Sequence, residues 1–125
     1  PHTETVRPGA ILLRGDTIAV VLGAAPSDFD GPVLDLDGGY VVPGLIDLHV
    51  HSYGNLSPSG VEPLATEASA RRMLYAGVTG FLDLFADEDA IFALRDRQRA
   101  DGLTAADLHA AGPLLTAPGG YGTQM

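Results

Sequence analysis

The stretch Val41-Val42-Pro43-Gly44-Leu45-Ile46-Asp47-Leu48-His49-Val50-His51 decides how the chain is read, because an almost wholly apolar run ends in two histidines one residue apart. Its apolar character, after the break at Pro43-Gly44, predicts a strand buried on both faces in a parallel sheet. Residues two apart in a strand project to the same face, so His49 and His51 stand side by side if the strand reaches the second of them. Two neutral imidazoles so placed suit Zn, Fe, Ni and similar borderline metals, and a rigid strand limits the entropy lost in assembling the site. A histidine pair by itself is more often surface decoration. Its place at the carboxyl end of a buried strand is what argues for a metal.

Composition narrows the partners. The chain has 125 residues, a formal net charge of −9, and neither lysine nor cysteine. Its seven basic residues are arginines scattered along the sequence, which provides no basic patch for nucleic acid. Without cysteine there are no disulfides and no thiolate metal sites, so any metal has nitrogen and oxygen ligands. Arg14 and Asp16 interrupt the early apolar run from Ala10 to Leu22, and no stretch reaches the roughly 18 apolar residues of a membrane span. The start at Pro1 shows no basic region followed by an apolar core. The expectation is a cytoplasmic protein with no nucleic-acid or membrane partner.

Working outward, Ala10–Leu13 and Thr17–Leu22 flank Arg14-Gly15-Asp16 and predict a hairpin. Val33–Asp37 and Tyr40–Val42, around Gly38-Gly39, predict a second one. The domain junction is expected at Pro43-Gly44, giving units 1–42 and 43–125. Ser52 to Gly60 reads as loop. A helix is expected to begin near Val61 to Ala65 and run to about Tyr75, before Gly77. Val78–Leu84 reads as the next buried strand. Asp87 and Asp89 are placed to cap a second helix with Ile91, Phe92 and Leu94 on its apolar side, arginines 95, 97 and 99 near its end, and Gly102 closing it. Leu103–Ala111 is expected to be a third strand, entering a Gly/Pro-rich loop.

The Pro43-to-His51 stretch resembles the first barrel strand of the amidohydrolase superfamily of metal-dependent hydrolases. Ala76-Gly77-Val78-Thr79-Gly80-Phe81-Leu82-Asp83 is similar to the helix end and second barrel strand of that superfamily, and the segment from Gly9 to Tyr40 to the small β-sandwich preceding the barrel. The pattern leans toward members of imidazolonepropionase and dipeptidase type. The resemblance implies an α/β chain holding part of a β-sandwich (1–42) and the first three βα steps of an incomplete TIM (β/α)8 barrel (43–125). It also implies an amidohydrolase-type enzyme acting on C–N bonds of a small molecule such as an amide, cyclic amide or acylated amino acid, through a metal-activated water. His49 and His51 are then the metal ligands for one or two divalent ions, zinc first among them. A whole barrel needs about 250 residues. The further ligands and the catalytic base of the family come from later strands, and no lysine is present to supply a bridging carbamate. The expectation is therefore a piece of a longer polypeptide, or a chain completed by a second one, inactive by itself, with a homo-oligomer among the forms open to the complete protein. A non-catalytic assembly protein of the same fold is the alternative, and the retained histidine pair counts against it.

Other candidates divide between chemistry and structure. Asp47, two residues before His49, is expected either to orient a ligand imidazole or to belong to a buried polar network. Asp83 ends the second strand, where barrel chemistry collects, but aspartate there also caps loops. His109 reads as a satisfied core histidine in the third strand. Gly119-Gly120-Tyr121-Gly122 lacks the spacing and lysine of a phosphate loop. Some relatives have Gly-Gly-His-Gly at that place, so Tyr121, with Tyr53 and Asn55 in the first loop, is carried as a candidate substrate contact.

Overall fold

The computed structural model describes residues 6–120, with the side chains of residues 55–57 and 61–63 outside that description. The chain divides into two compact units, Pro1–Val42 and Pro43–Met125.

In the first unit, β1 (Ala10–Arg14) and β2 (Thr17–Leu22) form an antiparallel hairpin. Gly15 takes the positive φ of 62° that its turn requires, and a register shift falls between Leu12 and Leu13. The second expected hairpin is not formed. Its turn exists, with Asp37 and Gly38 both at positive φ and the Gly39 N–H donating to the Leu36 carbonyl at 2.8 Å, the dihedral pattern of a tight hairpin turn. The flanks do not pair as strands, and Val33, Leu34, Tyr40, Val41 and Val42 are exposed. Two short strands with no layer to cover their apolar face are marginal in water, so correct turn chemistry did not suffice.

The second unit runs β3 (Leu45–Val50), β4 (Gly54–Ser57), β5 (Gly60–Pro63), α1 (Thr66–Tyr75), β6 (Val78–Asp83), α2 (Glu88–Asp101) and β7 (Asp107–Ala110). Strands β3, β6 and β7 form a parallel sheet in that order, with β6 central. Parallel neighbours need long crossovers, and α1 and α2 lie on them. The core joins Val50, Phe81 and Leu108 of the sheet to Ala70 of α1 and Ile91 and Leu94 of α2. Phe81, Ile91 and Leu108 are its largest fully buried apolar members, each worth about 1.5–3 kcal/mol on burial.

Local chemistry explains the helix ends. The Asp87 carboxylate accepts from the Ala90 N–H at 2.9 Å, and Glu88 and Asp89 fill the first turn of α2, where acidic groups favour the helix dipole. Gly102 ends that helix at φ 86°, its N–H bonded to the Gln98 carbonyl. Helix α1 starts later than its sequence suggested, at Thr66, because residues 60–63 belong to β5. That hairpin lies where the sequence reads as loop: Pro58-Ser59 connects the Ser57↔Gly60 pair, and the two-residue connection lets a polar segment close on itself. Strand β7 is likewise shorter than expected, beginning at Asp107.

The uniformly buried first strand is also corrected. Only Val50 of β3 is buried, and Leu45, Ile46 and Leu48 are 61–70% exposed. Among the described residues β3 is an edge strand with β6 as its single neighbour, which leaves most of its side chains uncovered. No helix among the described residues is long and apolar enough to cross a membrane.

Candidate active site

The carboxyl ends of the three parallel strands are stitched together by main-chain bonds. Leu84 N–H donates to the Val50 carbonyl at 3.0 Å, and Ala111 N–H to the Asp83 carbonyl at 2.8 Å. In α/β sheets this is the end at which ligands bind. His49 lies within β3 and His51 one residue past it. Their rings stand edge to face, centroids 5.5 Å apart and planes at 89°, and both residues are exposed. Two imidazoles on one tetrahedral zinc, at Zn–N of about 2.0–2.1 Å, hold their ring centres roughly 5 Å apart. The spacing therefore fits a shared ion. Among the described residues no third histidine, aspartate or glutamate joins the pair in a metal-sized group.

Asp47 reaches the pair through main chain: its Oδ1 accepts the His49 N–H at 3.0 Å, beside the register shift between Asp47 and Val50. Tyr53 is half-buried and close, its ring 6.3 Å from that of His51. The Asn55 side chain and Tyr121 lie outside the described residues. His109 is not a core residue. Its side chain is 62% exposed, with Nε2 3.4 Å from Asp107 Oδ2. Pairing explains this: Phe81 and Leu108 face each other in the buried layer, which leaves the next pair, Leu82 and His109, to the uncovered side. There Ile46, Leu48, Leu82 and His109 line a cleft of about 330 Å³.

The sequence reading missed a polar cluster behind the histidines. Asp83 is 1% exposed. Its Oδ2 accepts from the Ser52 N–H at 2.8 Å and from the Ser52 hydroxyl, and its Oδ1 from the Phe85 N–H at 2.9 Å. The Ser52 carbonyl in turn accepts from Ser69 Oγ at 2.6 Å. The Phe85 ring packs edge-on against His51 at 6.2 Å and against Tyr53 at 6.0 Å. Ser52, Ser69 and Phe85 carry no motif, and only the position of Asp83 at a strand end hinted at the cluster.

These features define an α/β protein with a parallel sheet and a histidine pair at the carboxyl end of its first strand. The pattern of the Amidohydrolase family matches residues 40–119, and the chain belongs to that family. It is 49% identical over 45 residues to the imidazolonepropionase of Chromobacterium violaceum, a match spanning 34% of this chain and 11% of that protein. Among solved structures it is similar to a Xaa-Pro dipeptidase with methionine bound in the active site, at a TM-score of 0.66 and 23% identity, covering 91% of this chain and 30% of the other. The match thus spans about a tenth of that imidazolonepropionase and under a third of that dipeptidase.

Proposed function

We propose that the chain is part of a metal-dependent hydrolase that cleaves C–N bonds in a small amide, cyclic amide or acylated amino acid. The observation that carries this reading is the His49–His51 pair, 5.5 Å apart at the carboxyl end of β3, within the segment matched by the family. The similarity to an imidazolonepropionase supports a nitrogen-containing substrate.

In this reading residues 1–42 contribute to a β-sandwich and residues 43–125 form the first three βα steps of a (β/α)8 barrel. The outer sides of β3 and β7, unpaired among the described residues, are where further strands would join, from the same polypeptide or from a complementing chain. His49 and His51 hold a divalent ion, zinc first among the candidates. When bound, such an ion supplies Lewis acidity and lowers the pKa of water toward about 7. This chain's own residues place the ligands: Asp47 fixes the main chain at His49, and Phe85 and Tyr53 flank the His51 ring. Tyr53, Asn55 and Tyr121 contact substrate, and a residue from the remainder of the barrel moves the protons.

The test is hydrolysis of a panel of N-acyl amino acids, dipeptides and cyclic amides by the complete protein, before and after chelation and after return of zinc. Hydrolysis that is lost on chelation and restored by zinc is the expected result. Hydrolysis that survives complete metal removal contradicts the mechanism.

A further inference from the structure

A histidine one residue past the end of a strand has lost the ladder that would hold its backbone in place. His51 is in that position, since β3 ends at Val50, yet the residue after it is among the most tightly held in the chain. Ser52 is 1% exposed. Its N–H and hydroxyl both donate to Asp83 Oδ2, and its carbonyl accepts from Ser69. The other oxygen of the same carboxylate accepts from the N–H of Phe85, whose ring lies edge-on to His51.

We propose that Asp83 is the positioning residue for His51, setting through Ser52 the backbone that presents the imidazole and through Phe85 the ring against which it rests. Three observations converge on this role. A buried carboxylate is retained only when its oxygens are well supplied with donors. The donors of Asp83 come from the two residues that bracket His51, one in sequence and one in space. Asp83 is itself anchored, because it ends the central strand, pairs with Val50 in the register of β3 and β6, and accepts the Ala111 N–H on its carbonyl. Among the described residues Asp83 joins no metal-sized group of histidine and carboxylate side chains, so it would act on a metal through His51. The consequence for metal binding rests on His51 being a ligand, as proposed above, whereas the positioning itself does not.

The experiment uses the complete protein with labelled histidines. Ring resonances of His51 and His109 are recorded without metal, and cobalt(II) affinity is then measured from its absorption spectrum. In Asp83→Asn an amide NH2 faces one of the donors that the carboxylate accepts. The His51 ring signals should broaden or split while those of His109 stay in place, and cobalt affinity should fall about 10- to 100-fold, as for other residues that orient metal ligands. A folded Asp83→Asn protein with unchanged His51 signals and unchanged affinity overturns the proposal. If that variant does not fold, Ser52→Ala decides, since it removes one donor and keeps the N–H. It should perturb the His51 ring and weaken cobalt several-fold, and no change in either overturns the proposal. Wild-type protein that takes up no cobalt refutes the metal reading, and the ring signals then decide the positioning role alone.

Discussion

At Gly44 a contact, not a dihedral, fixes the residue. A Cβ built there would lie 2.2 Å from Cγ2 and Oγ1 of Thr79, so the start of β3 can sit against β6 only if residue 44 has no side chain. Gly44→Ala is expected to destabilise the complete protein by about 1–3 kcal/mol, the usual range for overpacking. Urea unfolding checks this, and an unchanged midpoint would mean that the strands separate there without loss. The histidine motif was legible, and the rings of His49 and His51 are neighbours, but not by strand periodicity, since β3 ends at Val50 before the second of them. The clamp behind them was not legible. Ser52 and Asp83 are 31 residues apart, and no local pattern announces that a serine after a loop-forming histidine will be buried.

At the level of elements, α2 shows which sequence signals determine structure. Its cap at Asp87 and its closing Gly102 were readable because each acts through neighbouring backbone, whereas Asp89, read as a second cap, lies in the first turn. Asp87→Ala removes the bond to Ala90 and should cost about 1 kcal/mol, measurable as a lowered thermal midpoint. Gln98 was not readable, because a polar residue on the inner face of a helix has no local explanation. Its amide donates to the Ala106 carbonyl and accepts the Leu108 N–H, both at 3.0 Å, docking α2 on the start of β7. Gln98→Leu leaves both main-chain groups unpaired in the core and should cost at least about 2 kcal/mol. By contrast Glu67, which bridges Arg71 and Arg97 at 2.8 Å, is half-buried with both arginines exposed, and Glu67→Gln should change stability by less than about 1 kcal/mol. The hairpin β4–β5 and the unformed pairing around Asp37-Gly38 mark the reverse limit. Turn residues indicate where a chain reverses, and pairing of the flanks depends on what lies beside them.

At the scale of the whole molecule, Leu45, Ile46 and Leu48 are exposed, and among the described residues β3 and β7 are the edges of the sheet, as the proposed barrel requires of strands that further strands would join. Expressed by itself, the 125-residue chain should self-associate through these surfaces, which sedimentation velocity resolves as species that grow with concentration; a monomer at all concentrations contradicts this. The motif that identified the family was readable over a few residues around His49, whereas the burial expected of its strand was not met, since burial depends on neighbours that a single strand does not encode. The claim on which the proposed function depends is that His49 and His51 bind a metal ion together. Elemental analysis of the complete protein, purified without added metal and compared with the His49→Ala, His51→Ala double variant, tests it most directly. Stoichiometric zinc, manganese or iron in the wild type that is lost in the double variant is the expected result. A wild-type protein that carries no metal and takes up none when it is supplied would contradict the site and favour a non-catalytic assembly role for this fold.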